Sequence, residues 1–170
     1  MATVEELRLK ILDRPQLVAN ERTGTGDGVN KTFKLKYVPI MADSETIKVG
    51  GLEVMEGYEL DNSTGKLEFT AAPGDGDAIE AVYEFAAFSD DELQLCLDGA
   101  GGNLALAAGE ALMVLVTDRT KLVNWSKGDT HIDYDRLRKD LSDAAIRYLK
   151  QGRSERGGAT VEDVIWEEVE

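Results

Sequence analysis

Apolar residues follow a helical spacing at both ends of this chain and a period of two through its middle. Thr3 and Glu6 fit a capping box, an N-cap hydroxyl with a glutamate three residues on. Leu7, Ile11 and Leu12 follow on one stripe, and Asp13, Arg14 and Pro15 close the helix, because proline pushes its predecessor out of the α region. From about residue 20 to residue 87 the pattern alternates. Stretches 32–37, 45–49 and 52–54 read as strands, with Gly50 and Gly51 as a two-residue hairpin turn. Stretches 58–60 and 66–69 flank a turn at Asn62, Ser63, Thr64 and Gly65. A longer strand over 78–85 follows the Pro73, Gly74, Asp75, Gly76, Asp77 cluster. Five or six short antiparallel strands predict a small sandwich or barrel-like sheet, solvated on its Lys/Glu face.

Beyond residue 88 the helical period returns. Ser89 and Glu92 form a second capping box ahead of Leu93, Cys96 and Leu97, and glycines between 99 and 102 break that helix. Asn103 then caps a stretch, 104–116, that is apolar on nearly every face. After Trp125, residues 126–129 read as a turn. Thr130 or Asp133 caps a last helix with a single apolar stripe: Leu137, Leu141, Ala144, Ala145 and Tyr148. Arg147 and Lys150 near its negative end, with Gly152 just beyond, predict its close there. Residues 153–158 read as a flexible linker to an acidic tail carrying Val161, Val164, Ile165 and Trp166. The fold class expected is α+β, divided as 1–19, 20–87, 88–152 and 153–170.

A helix apolar all round needs cover on all sides. One amphipathic partner helix is too little, so the expected cover is a second copy of the chain, touching Leu104, Leu106, Leu112, Met113, Leu115 and Trp125. Lipid is the other candidate. A membrane span needs about 20 apolar residues, whereas this run is interrupted by Gly109 and Glu110 and stops at Thr117, Asp118 and Arg119. The first residues lack a basic start and an apolar centre, so no signal peptide and a soluble, intracellularly made protein are expected.

Composition sharpens this picture. With 19 Lys+Arg against 33 Asp+Glu, the net charge of −14 disfavours gripping nucleic acid, without forbidding a ring whose acidic lumen lets DNA slide without sticking. One cysteine and one histidine exclude an internal disulfide and multi-cysteine zinc patterns. Lys31 and Thr32 behind glycines resemble a phosphate loop, but Asn30 stands where glycine is required and a strand follows, favouring a turn. Asp27, Asp61, Asn62, Asp75 and Asp77 could offer oxygen ligands to a cation, without EF-hand spacing; turns are the preferred reading. Cys96 reads as a small buried hydrophobe and His131 as a surface or capping residue. No catalytic, cofactor or metal site is expected.

The order of elements, with Trp125, Ser126, Gly128, Asp129 and Asp133 before the last helix, resembles the head–tail connector (adaptor) proteins of tailed bacteriophages and related gene-transfer particles. The resemblance covers residues 3–13 and 89–152. It implies a helical connector core interrupted by the β module, and a homo-oligomeric ring, commonly of twelve copies. The ring would sit beneath the portal in the virion neck and prolong the DNA channel toward a tail-side stopper. It further implies that Val161, Val164, Ile165 and Trp166 dock on the portal. The β module departs from the compact, nearly all-helical members. An alternative reading makes that module a glycan- or protein-binding unit on a helical oligomerising stalk, although its six aromatics, Phe33, Tyr37, Tyr58, Phe69, Tyr83 and Phe85, are also needed for its core.

Overall fold

Two apolar clusters, drawn from different stretches of chain, organise the protein. The computed structural model describes residues 1–126 and 133–156. The elements are α1 (Val4–Ile11), β1 (Gln16–Thr25), β2 (Thr32–Lys34), β3 (Thr46–Val49), β4 (Leu52–Val54), β5 (Tyr58–Asp61), β6 (Lys66–Phe69) and β7 (Ala78–Phe85). Then come α2 (Asp90–Gly99), α3 (Leu104–Thr117), α4 (Arg119–Trp125) and α5 (Tyr134–Glu155). The protein is α+β, with five helices and two antiparallel sheets among the described residues.

The strands form a four-stranded sheet of order β1-β7-β3-β4 and a three-stranded sheet of order β2-β6-β5. Alternation decides their facing: Ile79, Ala81, Tyr83 and Phe85 of β7 point inward, as do Leu67 and Phe69 of β6. They meet Phe33 and Ile47 in one core. Both expected hairpins form, with Val49 opposite Leu52 and Asp61 opposite Lys66. β1 was not visible as a strand in the pattern. Asn20 sits at φ 54° and the register with β7 slips twice, so bulges scramble the period of two.

The helices surround α3. Both capping boxes are made, Thr3 with Glu6 and Ser89 with Glu92, and Asn103 caps α3 through the Leu106 N–H at 2.9 Å. Asp118 ends α3 and starts α4, accepting from Thr120 and Lys121 N–H. α4 is a helix that the pattern did not announce. Asp133 caps α5 through Asp135 and Arg136. α5 runs on to Glu155, beyond the expected close near Gly152, because Gly152 packs directly on Leu106 and Asn103 and so extends the α3–α5 seam.

The expectation that one partner helix leaves 104–116 uncovered is corrected by this packing. Leu106 (8%), Leu112 (4%) and Leu115 (0%) are buried against the chain's own helices, together with Ala105, Ala107, Ala108 and Ala111. The cover comes from α1, α2, α4 and α5 jointly. Leu104 and Trp125 are half-buried in the same cluster. Only Met113 and Val114 of α3 keep substantial apolar exposure, at 37% and 36%.

The two units meet at a polar joint. The buried Arg8 guanidinium donates to Asp13 at 2.6 Å, to Phe88 C=O at 2.8 Å and to Asp90 at 2.8 Å. Asp13 also accepts from the Ala87 and Phe88 N–H groups. Burial pushes its carboxyl up, against the opposing pull of the Ala87 amide and Arg8. Nearby, Gln16 donates to Asn124 C=O, Asn124 to Val38 C=O, and Trp125 Nε1 to Ile11 C=O.

Candidate functional site

A concavity lies on the β module, where β1 and β2 each present an edge that pairs with no other strand among the described residues. The groove has a volume of about 720 Å³ and is lined by Thr23, Gly24, Thr25, Asn30, Thr32, Phe33, Lys34, Thr64 and Lys66. Gly24 permits it: an added Cβ would stand 3.0 Å from the Phe33 ring. That ring is itself held edge-on by Phe69, with centroids 5.8 Å apart.

Backbone parity sets what the β2 edge offers. Phe69 N–H donates to Lys31 C=O and Leu35 N–H to Gly65 C=O, so the odd-numbered residues of β2 bond toward β6. The N–H and C=O of Thr32 and Lys34 therefore point away from β6, toward the groove. Asn30 already engages those of Thr32, as acceptor at 3.1 Å and donor at 3.0 Å. Three of the lining hydroxyls are committed too: Thr23 donates to Ile79 C=O, Thr25 accepts from Arg22, and Thr64 donates to Asp61. Lys66 pairs with Glu68 at 2.5 Å. No acid lines the groove, although the chain carries 33.

Such a groove offers an incoming group the Lys34 backbone and two lysine side chains, one of them already paired. It contains no nucleophile with an adjacent base. Among the described residues no three His, Cys, Asp or Glu side chains gather as a metal site. The acidic loops are turns: Asp27 accepts from Val29 and Asn30 N–H. Asp61 is held by Ser63 and Thr64, whose hydroxyl bonds depress its carboxyl to about 2. The phosphate-loop resemblance at Lys31 and Thr32 ends in the same way, in a turn running into β2. Cys96 is half-buried, and burial first, then Glu110 and Glu92, push its thiol up, the opposite of activation.

Of the residues singled out in the sequence, Asp133 is the α5 cap and Met113 is exposed on the helical layer. Gly128, Asp129, His131, Val161, Val164, Ile165 and Trp166 lie outside the described residues. The structure does not bring Met113 and the groove onto one element. Sequence reasoning missed the groove, but one signal pointed there: residues 28–42 hold Lys31, Lys34 and Lys36 without a single acid, in a strongly acidic chain. No helix among the described residues is long and apolar enough to cross a membrane. Compared with family models, with curated proteins and with solved structures, the chain matches none.

Proposed function

We propose that this chain is the subunit of a head–tail adaptor ring in a tailed-bacteriophage-like particle, docking beneath the portal and carrying the DNA channel toward a tail-side stopper. One observation carries the reading. The helical layer is assembled from two separated stretches, α1 and then α2 to α5, with the β module inserted between them. Taken without the insertion, the helices follow the order expected of a connector core, two capped short helices, the glycine turn, the central helix and the Asp133-capped last helix, with the short α4 added before the last. Self-burial of α3 removes the argument that α3 needs a sister copy for cover. Ring contacts in this reading therefore fall among the apolar residues the helices leave exposed, which include Leu9 of α1, Leu95 of α2, Met113 and Val114 of α3, Val123 of α4 and Ile146 of α5. The net charge of −14 suits a lumen through which DNA passes without adhering. The neck of the virion is then its place of action, the portal its main partner, and Val161, Val164, Ile165 and Trp166 its anchor on a partner.

The test is to mix the purified chain with its cognate portal and examine the mixture by light scattering and negative-stain imaging. A portal-bound ring is the expected result; free monomers and no complex would overturn the reading. The alternative, a β module that binds a ligand, gains one specific observation in the groove. The chemistry offered there is peptide-like, not glycan-like: Phe33, Phe69, Tyr83 and Phe85 are buried, and Tyr37 and Tyr58 pack on the same core, leaving no exposed aromatic platform.

A further inference from the structure

We propose that copies of this chain join head to tail, the outer face of α2 on one copy seating against the outer face of α5 on the next. The junction rests on the ring proposed above and gives it a specific subunit contact.

The α2 face is apolar at its centre and acidic around it. The helix buries Leu93 and Leu97 and turns Asp91, Leu95 and Asp98 to solvent, positions that share one side of a helix. Leu95 is 73% exposed. The four charged residues of α2, Asp90, Asp91, Glu92 and Asp98, are all acids. Asp90 takes Arg8 and Glu92 takes Lys121, whereas the Asp98 carboxylate meets only the Gln94 amide. Asp91 pairs with no base among the described residues.

The α5 face is its complement. That helix buries Leu141, Ala145 and Gly152, and its opposite flank shows Lys139, Asp143, Ile146, Arg147, Lys150 and Arg153. Ile146 is 44% exposed. In a chain of net charge −14, α5 holds six bases against four acids. Lys139, Arg147, Lys150 and Arg153 form no ion pair among the described residues.

An exposed leucine among acids therefore faces an exposed isoleucine among bases. The apolar pair excludes water at the centre, and the charges form a rim that selects the partner. Like faces would set acid against acid or base against base, so the contact is heterologous, and a heterologous contact can close a ring. Within one chain α2 and α5 both pack on α3 and not on each other. The α5 face of one copy is thus left for the α2 face of another. At roughly 15 Å against roughly 33 Å, the shorter helix lies wholly along the longer one.

The test uses two full-length charge reversals, Asp91→Lys with Asp98→Lys and, separately, Arg147→Glu with Lys150→Glu. All four positions are exposed, so the urea midpoints should match the parent. Each variant alone, mixed with the cognate portal, should yield portal-bound ring reduced about tenfold or more, because both of its faces then carry one sign. An equimolar mixture of the two should restore the ring, since every junction between unlike variants is again complementary. The parent gives a second readout. In a ring of unlabelled and ¹⁵N-labelled copies, a carbodiimide should join Asp91 or Asp98 to Lys139 or Lys150 across isotopes. A parent-like ring from either variant alone, no ring from the mixture, or no mixed-isotope crosslinks would overturn this junction and leave the ring reading standing. Loss confined to the α5 variant would likewise overturn it, assigning that face to the portal or to DNA. Absence of any self-associated parent, with portal present, would sink both.

Discussion

Gly152 shows how a single hydrogen atom can decide a helix contact. Its α-position faces Asn103 and Leu106, and an added Cβ would collide with Leu106 Cγ while lying 2.7 Å from the Leu106 amide and 2.8 Å from Asn103 Oδ1. Those two atoms form the α3 cap, so Gly152→Ala pushes against backbone. It should cost about 1–3 kcal/mol from overpacking, more than the ~1 kcal/mol of helix propensity it gains. Gly109→Ala meets mainly the Leu149 side chain, which can rotate away, so its urea midpoint should fall less. Equal midpoints for the two variants would show that the seam is looser than described. In the sequence Gly152 looked like a helix terminator, because a C′ glycine and a close-contact glycine are the same letter. Asp61 carries a pH prediction. Its carboxyl is held at about 2 by the Ser63 and Thr64 hydroxyls, below the ordinary carboxylate value. A depressed folded value means that its support for the β5–β6 turn is present above the ordinary range and is lost as pH falls through about 2. Carbon-detected NMR titration of Asp61 should place its midpoint there, and Thr64→Val should raise it.

At the scale of elements, the strongest periodic signals were the most legible. Both capping boxes, both hairpins, the Asn103 cap and the β7 strand follow from spacing and turn chemistry alone. Three features escaped for physical reasons. β1 was hidden by bulges, since each slipped residue reverses the inward face. α4 is too short for a period to show, and only its Asp118 cap marks it. The cover of α3 could not be read, because it comes from four helices spread over the rest of the chain. That packing makes a sharp prediction. Leu115→Ala, at a fully buried position, should lose about 2–5 kcal/mol. Met113→Lys with Val114→Lys should leave the urea midpoint within roughly 0.5 kcal/mol of the parent, while reducing assembly with portal. If the lysine pair unfolded the chain, these residues would be core and no ring contact.

For the whole molecule, the Arg8–Asp13 joint is where stability and arrangement meet. It ties α1 to the β7–α2 crossing through a buried ion pair and two backbone amides. Asp13→Ala leaves Arg8 without its buried partner and should cost about 3–5 kcal/mol. Hydrogen exchange should show the loss first at Ala87 and Phe88, whose N–H groups Asp13 holds; unchanged protection there would mean that the joint is not what fixes the crossing. The sequence by itself determined the α+β class and the N-caps of α1, α2 and α3, because caps, turns and periodicity act over a few residues. Only the tertiary structure decided that α3 is hidden within its own chain and that β1 and β2 leave a lysine-lined groove between them. Burial and edge pairing depend on which distant segments arrive at the same place, and no local pattern carries that information.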